Sequence, residues 1–237
     1  MNINEKEKAI ECHFNRLDRD SMLNGFGIAS LEIARAVALF HESLPGYSPT
    51  PLITLPALAN YLCVNEILIK DESKRFDLNA FKVLGAGYAM AMVLLSELSL
   101  DLKECTFDNI LLHRGKISHL TFVTATDGNH GRAVAWAASK FGCKAVVFMP
   151  KGSSKVRLQA IHDLGAKASI LDSNYDEAVI FAEKMAEENG WVLIQDTSWH
   201  GYDKIPLYIM QGYFTLLTEA MSQGKAVGRH MFLCRQV

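Results

Sequence analysis

"HLTFVTATDGNHGRAVAWAASKFGCKAVVFMP", residues 119–150, decides the fold. Its first part, "HLTFVTAT" (119–126), is apolar and β-branched and predicts a strand. "NHGRAVAWAASKFG" (129–142) has helical apolar spacing and a glycine stop, so it predicts a helix. "KAVVFMP" (144–150) is again an apolar strand, closed by proline. A strand, a helix and a second strand in this order make a βαβ unit with a parallel sheet.

The pattern extends in both directions. "EILIKDE" (66–72) predicts a strand, and "NAFKVLGAGYAMAMVLLSEL" (79–98) a helix with Asn79 as its N-cap. Beyond 150 the chain predicts a helix over 153–165, a strand over 166–172, a helix over 175–190 and a strand over 191–196. A long helix opened by proline follows over 206–224. Both faces of such a sheet are expected to be covered. "RGKIS" (114–118) is expected to be an exposed loop.

The composition narrows the function. The chain has 237 residues, 49% of them hydrophobic, a net charge of −2 and a pI near 6.4. This bounds it to one large domain or two small ones. No basic field points to nucleic acid. The five cysteines (Cys12, Cys63, Cys105, Cys143, Cys234) are scattered and never spaced C-x-x-C. They read as reduced thiols, with neither a disulfide framework nor a metal site. The polar N-terminus is no signal peptide, and no apolar run is long enough to span a membrane. The expectation is a soluble cytoplasmic protein.

Two segments carry chemistry. "TATDGNHGR" (124–132) joins a strand to a helix N-terminus, where ligands gather in such sheets. Its glycines admit close backbone approach, and the N–H groups at the helix start favour an anion. On local pattern alone Asp127 and Asn129 could equally be helix caps. The second segment is "LNAFKVLGAGYAM" (78–90), where Phe81, Val83 and Leu84 flank Lys82. Lys82 is either a lysine that snorkels to solvent or a desolvated nucleophile for an aldehyde cofactor.

Taken together, the two segments resemble fold-type II pyridoxal phosphate enzymes, the group of the tryptophan synthase β chain and the serine and threonine dehydratases. An aspartate at 127 followed by "GNHGR" is similar to the diaminopropionate ammonia-lyase family. "VVFMPKGSSKVRLQAIHDLGA", "NYDEAV" and "QDTSWHGYDKIPLYIMQGYFTL" agree, so the resemblance covers about 20–233. It implies a two-domain α/β fold with parallel sheets. The smaller domain would span 86–197, and the larger one 1–85 and 198–237.

The resemblance also implies roles. Lys82 matches the Schiff-base lysine that holds pyridoxal 5'-phosphate. Asp127 and Asp196 match active-site acids, although a strand-end cap is an equal reading for Asp196. Asn129 matches the asparagine beside the cofactor, and Gly128, His130 and Gly131 match a substrate carboxylate loop. His130 could also be a helix N-terminal residue satisfied by the backbone. The implied reaction is β-elimination of ammonia from 2,3-diaminopropionate, giving pyruvate. The implied partner is a small amino acid substrate, and the full-length family is expected to be homodimeric. A serine or threonine dehydratase is the alternative that Asp127 disfavours.

The chain ends "RHMFLCRQV" where the family continues to a glycine-rich phosphate loop. With one codon choice, Cys-Arg-Gln-Val read two bases later gives Gln-Ala-Gly, so a frameshifted or truncated copy is expected, with a genuine alternative terminus as the other reading. The alternative to the lyase itself is then a non-catalytic fragment of it, and little activity is expected of the chain alone.

Overall fold

The structure is a computed structural model that describes residues 30–224 and 233–235. Residues 1–29, 225–232 and 236–237, all assigned above to the larger domain, lie outside the described residues.

In chain order the elements are α1 (Leu31–Ser43), β1 (Leu52–Thr54), α2 (Pro56–Tyr61), β2 (Leu68–Asp71), α3 (Lys82–Leu98), α4 (Phe107–Leu112), α5 (Arg114–Ile117) and β3 (Thr121–Ala125). They continue with α6 (Asn129–Phe141), β4 (Lys144–Met149), α7 (Lys155–His162), β5 (Lys167–Ile170), α8 (Tyr175–Asn189), β6 (Val192–Leu193), α9 (Lys204–Gly212), α10 (Phe214–Gln223) and β7 (Leu233–Arg235). The strands form two sheets. One has the order β5-β4-β3-β6 and is parallel throughout. The other has the order β1-β2-β7, antiparallel at β1 and parallel at β7. The chain is therefore an α/β protein with the expected βαβ units.

Burial explains the parallel sheet. Every residue of β3 is buried, as a central strand covered on both faces requires. The edge strand β5 instead alternates exposed and half-buried residues, so the expectation of full cover fails there. Helix α6 lays Ala133, Val134 and Ala137 into the core and ends at Gly142, whose φ of 74° is left-handed. That backbone suits glycine and stops the helix. Helix α3 is buried from Val83 to Ala91 and packs against α6 and α9. A helix that is apolar all round is a central helix, which accounts for the apolar residues that follow Lys82.

Three local expectations are corrected. Asn79 does not cap α3; the helix starts at Lys82 with Phe81 at the N-cap. Phe76, Asp77 and Asn79 all have positive φ (49°, 58° and 57°), so the chain turns sharply before the helix. Residues 114–117 are helical, not a loop, because Ile117 is fully buried and Arg114 lies against Gly142. The long helix over 206–224 is two helices that break at Tyr213, and Pro206 sits inside the first turn of α9 rather than opening it.

Two glycines let α3 and α9 touch. A Cβ on Gly212 would lie 2.4 Å from the Leu84 carbonyl oxygen and 2.8 Å from the Gly85 Cα. Those atoms are backbone and cannot step aside. Gly212→Ala is therefore expected to destabilise the protein by about 2–3 kcal/mol, the scale of an overpacked core. Urea unfolding of the two proteins checks this, and equal midpoints would refute it.

A buried charge cluster joins the small sheet to α10. Arg75 donates through Nε to Glu72 and through Nη1 and Nη2 to Glu219, each at 2.8 Å. Lys70 on β2 reaches Glu219 at 2.6 Å and the Thr50 carbonyl at 2.6 Å. Tyr47 donates to Glu219 at 2.8 Å, and Thr50 donates to Glu72. Among the described residues, no helix is long and apolar enough to cross a membrane.

Candidate active site

The parallel sheet aims two loops at one cleft. Residues 126–128 follow β3 and lead into α6, and residues 194–196 follow β6, the neighbour of β3. The cleft has a volume of about 410 Å³ and is lined by Lys82, Thr126, Asp127, Asn129, His130, Arg157, Tyr175 and Asp196. Its position outside the carboxyl ends of the strands is where such sheets bind ligands.

Lys82, the first residue of α3, enters from the side. Its Nζ donates to Asp196 Oδ2 at 2.8 Å. The ammonium also lies 5.9 Å from the centre of the Tyr213 ring and 5.7 Å from that of Phe81. The side chain is 23% exposed, so the lysine neither snorkels freely to solvent nor sits in a wholly apolar pocket. A carboxylate and two aromatic faces hold it. Asp196 is 17% exposed. Burial would raise its carboxyl, but the positive charges that His130 and Lys82 can carry hold it below the usual carboxylate range. Pairing with Lys82 sets aside the strand-end cap as the side chain's whole role.

His130 does not face the cleft as an open loop residue. Its ring is buried, and its Nε2 lies 2.7 Å from the Ile194 carbonyl. Its Nδ1 stands 3.7 Å from Asp196 Oδ2 and, among the described residues, has no hydrogen-bond partner. Burial, opposed by Asp196, lowers its pKa. Asp127 is the opposite case: its side chain is 78% exposed at the mouth, with Arg157 3.9 Å away. Neither Asp127 nor Asn129 caps α6. Gly128 is the N-cap and lacks a side-chain cap bond, and its N–H donates to Thr126 Oγ1 at 3.0 Å.

Gly131 has a packing reason of its own. A Cβ there would meet Thr126 Cγ2 at 2.5 Å and Val147 Cγ1 at 2.7 Å. The glycine lets α6 sit down on the sheet, which brings the helix start to the cleft.

Lys82, Asp127, Asn129, His130 and Asp196, named from the sequence, thus meet at one cleft. Three lining residues were not foreseen: Thr126, Arg157 and Tyr175. Tyr175 follows the N-cap Asn174 of α8, and its Oη accepts from Gln195 Nε2 at 2.9 Å. The Gln195 amide is fixed in turn, because its Oε1 accepts from the Ala125 N–H at 3.0 Å.

Residues 43–234 match the family described as "Pyridoxal-phosphate dependent enzyme". The chain belongs to the pyridoxal-phosphate dependent enzyme family. Among the relatives, diaminopropionate ammonia-lyase of Escherichia coli K12 is 49% identical over 195 residues, 82% of this chain and 48% of that protein. The enzyme of the same name from Salmonella typhimurium LT2 is 50% identical over 205 residues, 86% of this chain and 49% of that protein. The crystal structure of the Escherichia coli enzyme in apo form aligns with a TM-score of 0.78 at 48% identity, covering 84% of this chain and 54% of that one. The chain spans about half the length of the curated relatives it matches. A catabolic L-threonine dehydratase of Staphylococcus aureus is 30% identical over 132 residues, 52% of this chain and 36% of that protein.

The family's cofactor fits the described residues. Pyridoxal phosphate needs a lysine at a cleft of small-molecule size, and Lys82 opens on one of about 410 Å³, within the common range of roughly 300–1,000 Å³. The orphaned Nδ1 of His130 marks a polar group beside the lysine–aspartate pair that the other described residues leave unsatisfied.

Proposed function

We propose that the chain carries the lysine and the two acids of a diaminopropionate ammonia-lyase. The observation that supports this reading is one cleft lined by Lys82, Asp127 and Asp196. A diamine substrate brings a second ammonium, and a carboxylate is the group to pair with it. Asp127, exposed at the mouth, is that carboxylate, and a neutral side chain at 127 would offer no such partner.

When bound at Lys82, pyridoxal phosphate acts as an electron sink that makes the α-hydrogen of an amino acid acidic. The protein's own groups do the rest. Lys82 Nζ accepts the α-proton on one face. The Asp127 carboxylate accepts it on the other, which allows both enantiomers to react. Asp196 holds Lys82 by the 2.8 Å ion pair until the lysine is engaged. Asn129 would border the cofactor, and the N–H groups of Gly128, His130 and Gly131 would receive the substrate carboxylate at the helix start. The net reaction breaks the Cα–H and Cβ–N bonds, and hydrolysis completes the release of pyruvate and two molecules of ammonia. The division into a smaller domain (86–197) and a larger one belongs to the same reading. Its support is that β3 to β6 form one sheet and β1, β2 and β7 another. Free thiols at Cys63, Cys105 and Cys143 support a cytoplasmic setting.

The test is pyruvate release from L- and D-2,3-diaminopropionate by the chain supplied with pyridoxal phosphate, beside serine and threonine. Preference for diaminopropionate is expected. Faster turnover of threonine would replace this reading with a dehydratase. Asp127→Asn should lower turnover of one enantiomer by roughly 10²-fold or more, the scale of a positioned acid–base group, with far less effect on the other. Equal small losses on both would reduce Asp127 to a loop residue.

A further inference from the structure

We propose that His130 is a positioning residue for Asp196: it takes up a proton on Nδ1 when Lys82 gives up its charge, and so keeps the Asp196 carboxylate ionised and in place. The inference deepens the reading above, in which Lys82 is the cofactor lysine.

A carbonyl oxygen only accepts hydrogen bonds, so the 2.7 Å contact to Ile194 puts the proton of a neutral ring on Nε2. Nδ1 then carries a lone pair. That lone pair faces Asp196 Oδ2 at 3.7 Å in a ring only 3% exposed, and no other group among the described residues satisfies it. Leaving a buried polar atom unpaired is costly. The arrangement holds because Lys82 Nζ, at 2.8 Å, already neutralises the same oxygen. Lys82 and His130 therefore compete for Asp196 Oδ2, and while the ammonium is present the imidazole loses.

Any event that takes the charge from Lys82 reverses the outcome. The Nζ–H bond breaks and the Nδ1–H bond forms, with Asp196 Oδ2 adjoining both nitrogens. The trio carries one positive and one negative charge before and after. Protonated Nδ1 becomes a donor, and a small approach converts the 3.7 Å contact into a charge-assisted hydrogen bond. Without this reserve cation a half-buried carboxylate would face the cleft unpaired, and its charged form would be disfavoured.

The other groups around the pair do not supply the charge. Tyr213, between α9 and α10, and Tyr175, on α8, are raised by burial and by Asp196, so both keep their protons. Asp127 and Arg157 lie exposed at the mouth and face each other.

NMR of the histidine rings between pH 5 and 9 tests this without cofactor or turnover. In the unaltered chain His130 should stay neutral with the proton on Nε2. In Lys82→Met its titration should rise by about one pH unit or more, the scale for an uncompensated neighbouring charge. Lys82→Arg keeps the cation and should behave as the unaltered chain. Lys82→Met with Asp196→Asn should return His130 to the neutral form. His41, buried and bonded to Thr215 and Leu84, reports whether each variant keeps its fold. Where its signals move in Lys82→Met, Lys82→Gln takes that variant's place and the same rise is required. No rise with His41 unmoved overturns the proposal, and so does a rise that survives the loss of Asp196. Either result leaves the lyase reading standing, which fails only on substrate turnover.

Discussion

Lys82→Ala will abolish covalent capture of pyridoxal phosphate at the site. The chain is mixed with one equivalent of the cofactor and reduced with borohydride, and its peptides are weighed by mass spectrometry. In the unaltered protein the pyridoxyl group should fall predominantly on the peptide that contains Lys82. Other lysines should carry traces only. Lys155 and Lys167, for instance, sit outside the cleft. Lys82→Arg is the informative companion. It keeps a cation for Asp196 yet cannot condense with an aldehyde, so it should lose the adduct while preserving the fold. An adduct of equal yield on another lysine would remove Lys82 from its role, and with it the shared-cleft argument.

Arg75→Leu is expected to destabilise the protein by about 3–5 kcal/mol, the scale for breaking a buried ion pair from one side. The change would leave Glu72 and Glu219 buried together with Lys70 as their cation. Urea unfolding at neutral pH checks it, and a loss below about 1 kcal/mol would mean that the cluster is solvated in solution. Acid should weaken the same cluster. Burial raises the Glu219 carboxyl, but hydrogen bonds from Arg75 and Lys70 outweigh it and bring the pKa from 4.5 down to about 2. A carboxyl depressed in the folded state stabilises fully above its unfolded value and loses that contribution as pH falls through its folded one. The Glu219 contribution should therefore be complete above about pH 4.5 and disappear towards pH 2. Glu219→Gln should flatten that part of the stability curve. An unchanged slope would assign the acid sensitivity to other groups.

Much of this was legible in the chain. The apolar run of β3, the helical spacing of α6 and the stop at Gly142 are local signals, and local signals identified both the sheet and the cleft loop. Lys82 stood out because a charged residue among apolar ones demands a reason. What escaped notice depends on distant contacts. Nothing near Arg75 indicates that it faces inward, since its partner Glu219 lies 144 residues away. The break at Tyr213 has no proline or glycine pair to announce it, beyond Gly212, whose closeness to Leu84 is a tertiary fact. Asn79 is a good helix cap by type, yet three left-handed residues delay the helix start to Lys82. Tyr175 and Arg157 reach the cleft from helix starts that local pattern cannot aim.

Asp127 and Asp196 sit just past adjacent strands that run in the same direction. Val123 is paired with Leu193, so the register carries both loops out at the same level. Neighbouring strands lie roughly 4.8 Å apart whatever their sequence. The sheet is thus a ruler, and the distance between the two acids is graduated in strands rather than in side chains. A lineage could exchange the residue at 127 for a smaller or neutral one and meet a different amino acid there. The lysine–aspartate pair one strand over would not have to move.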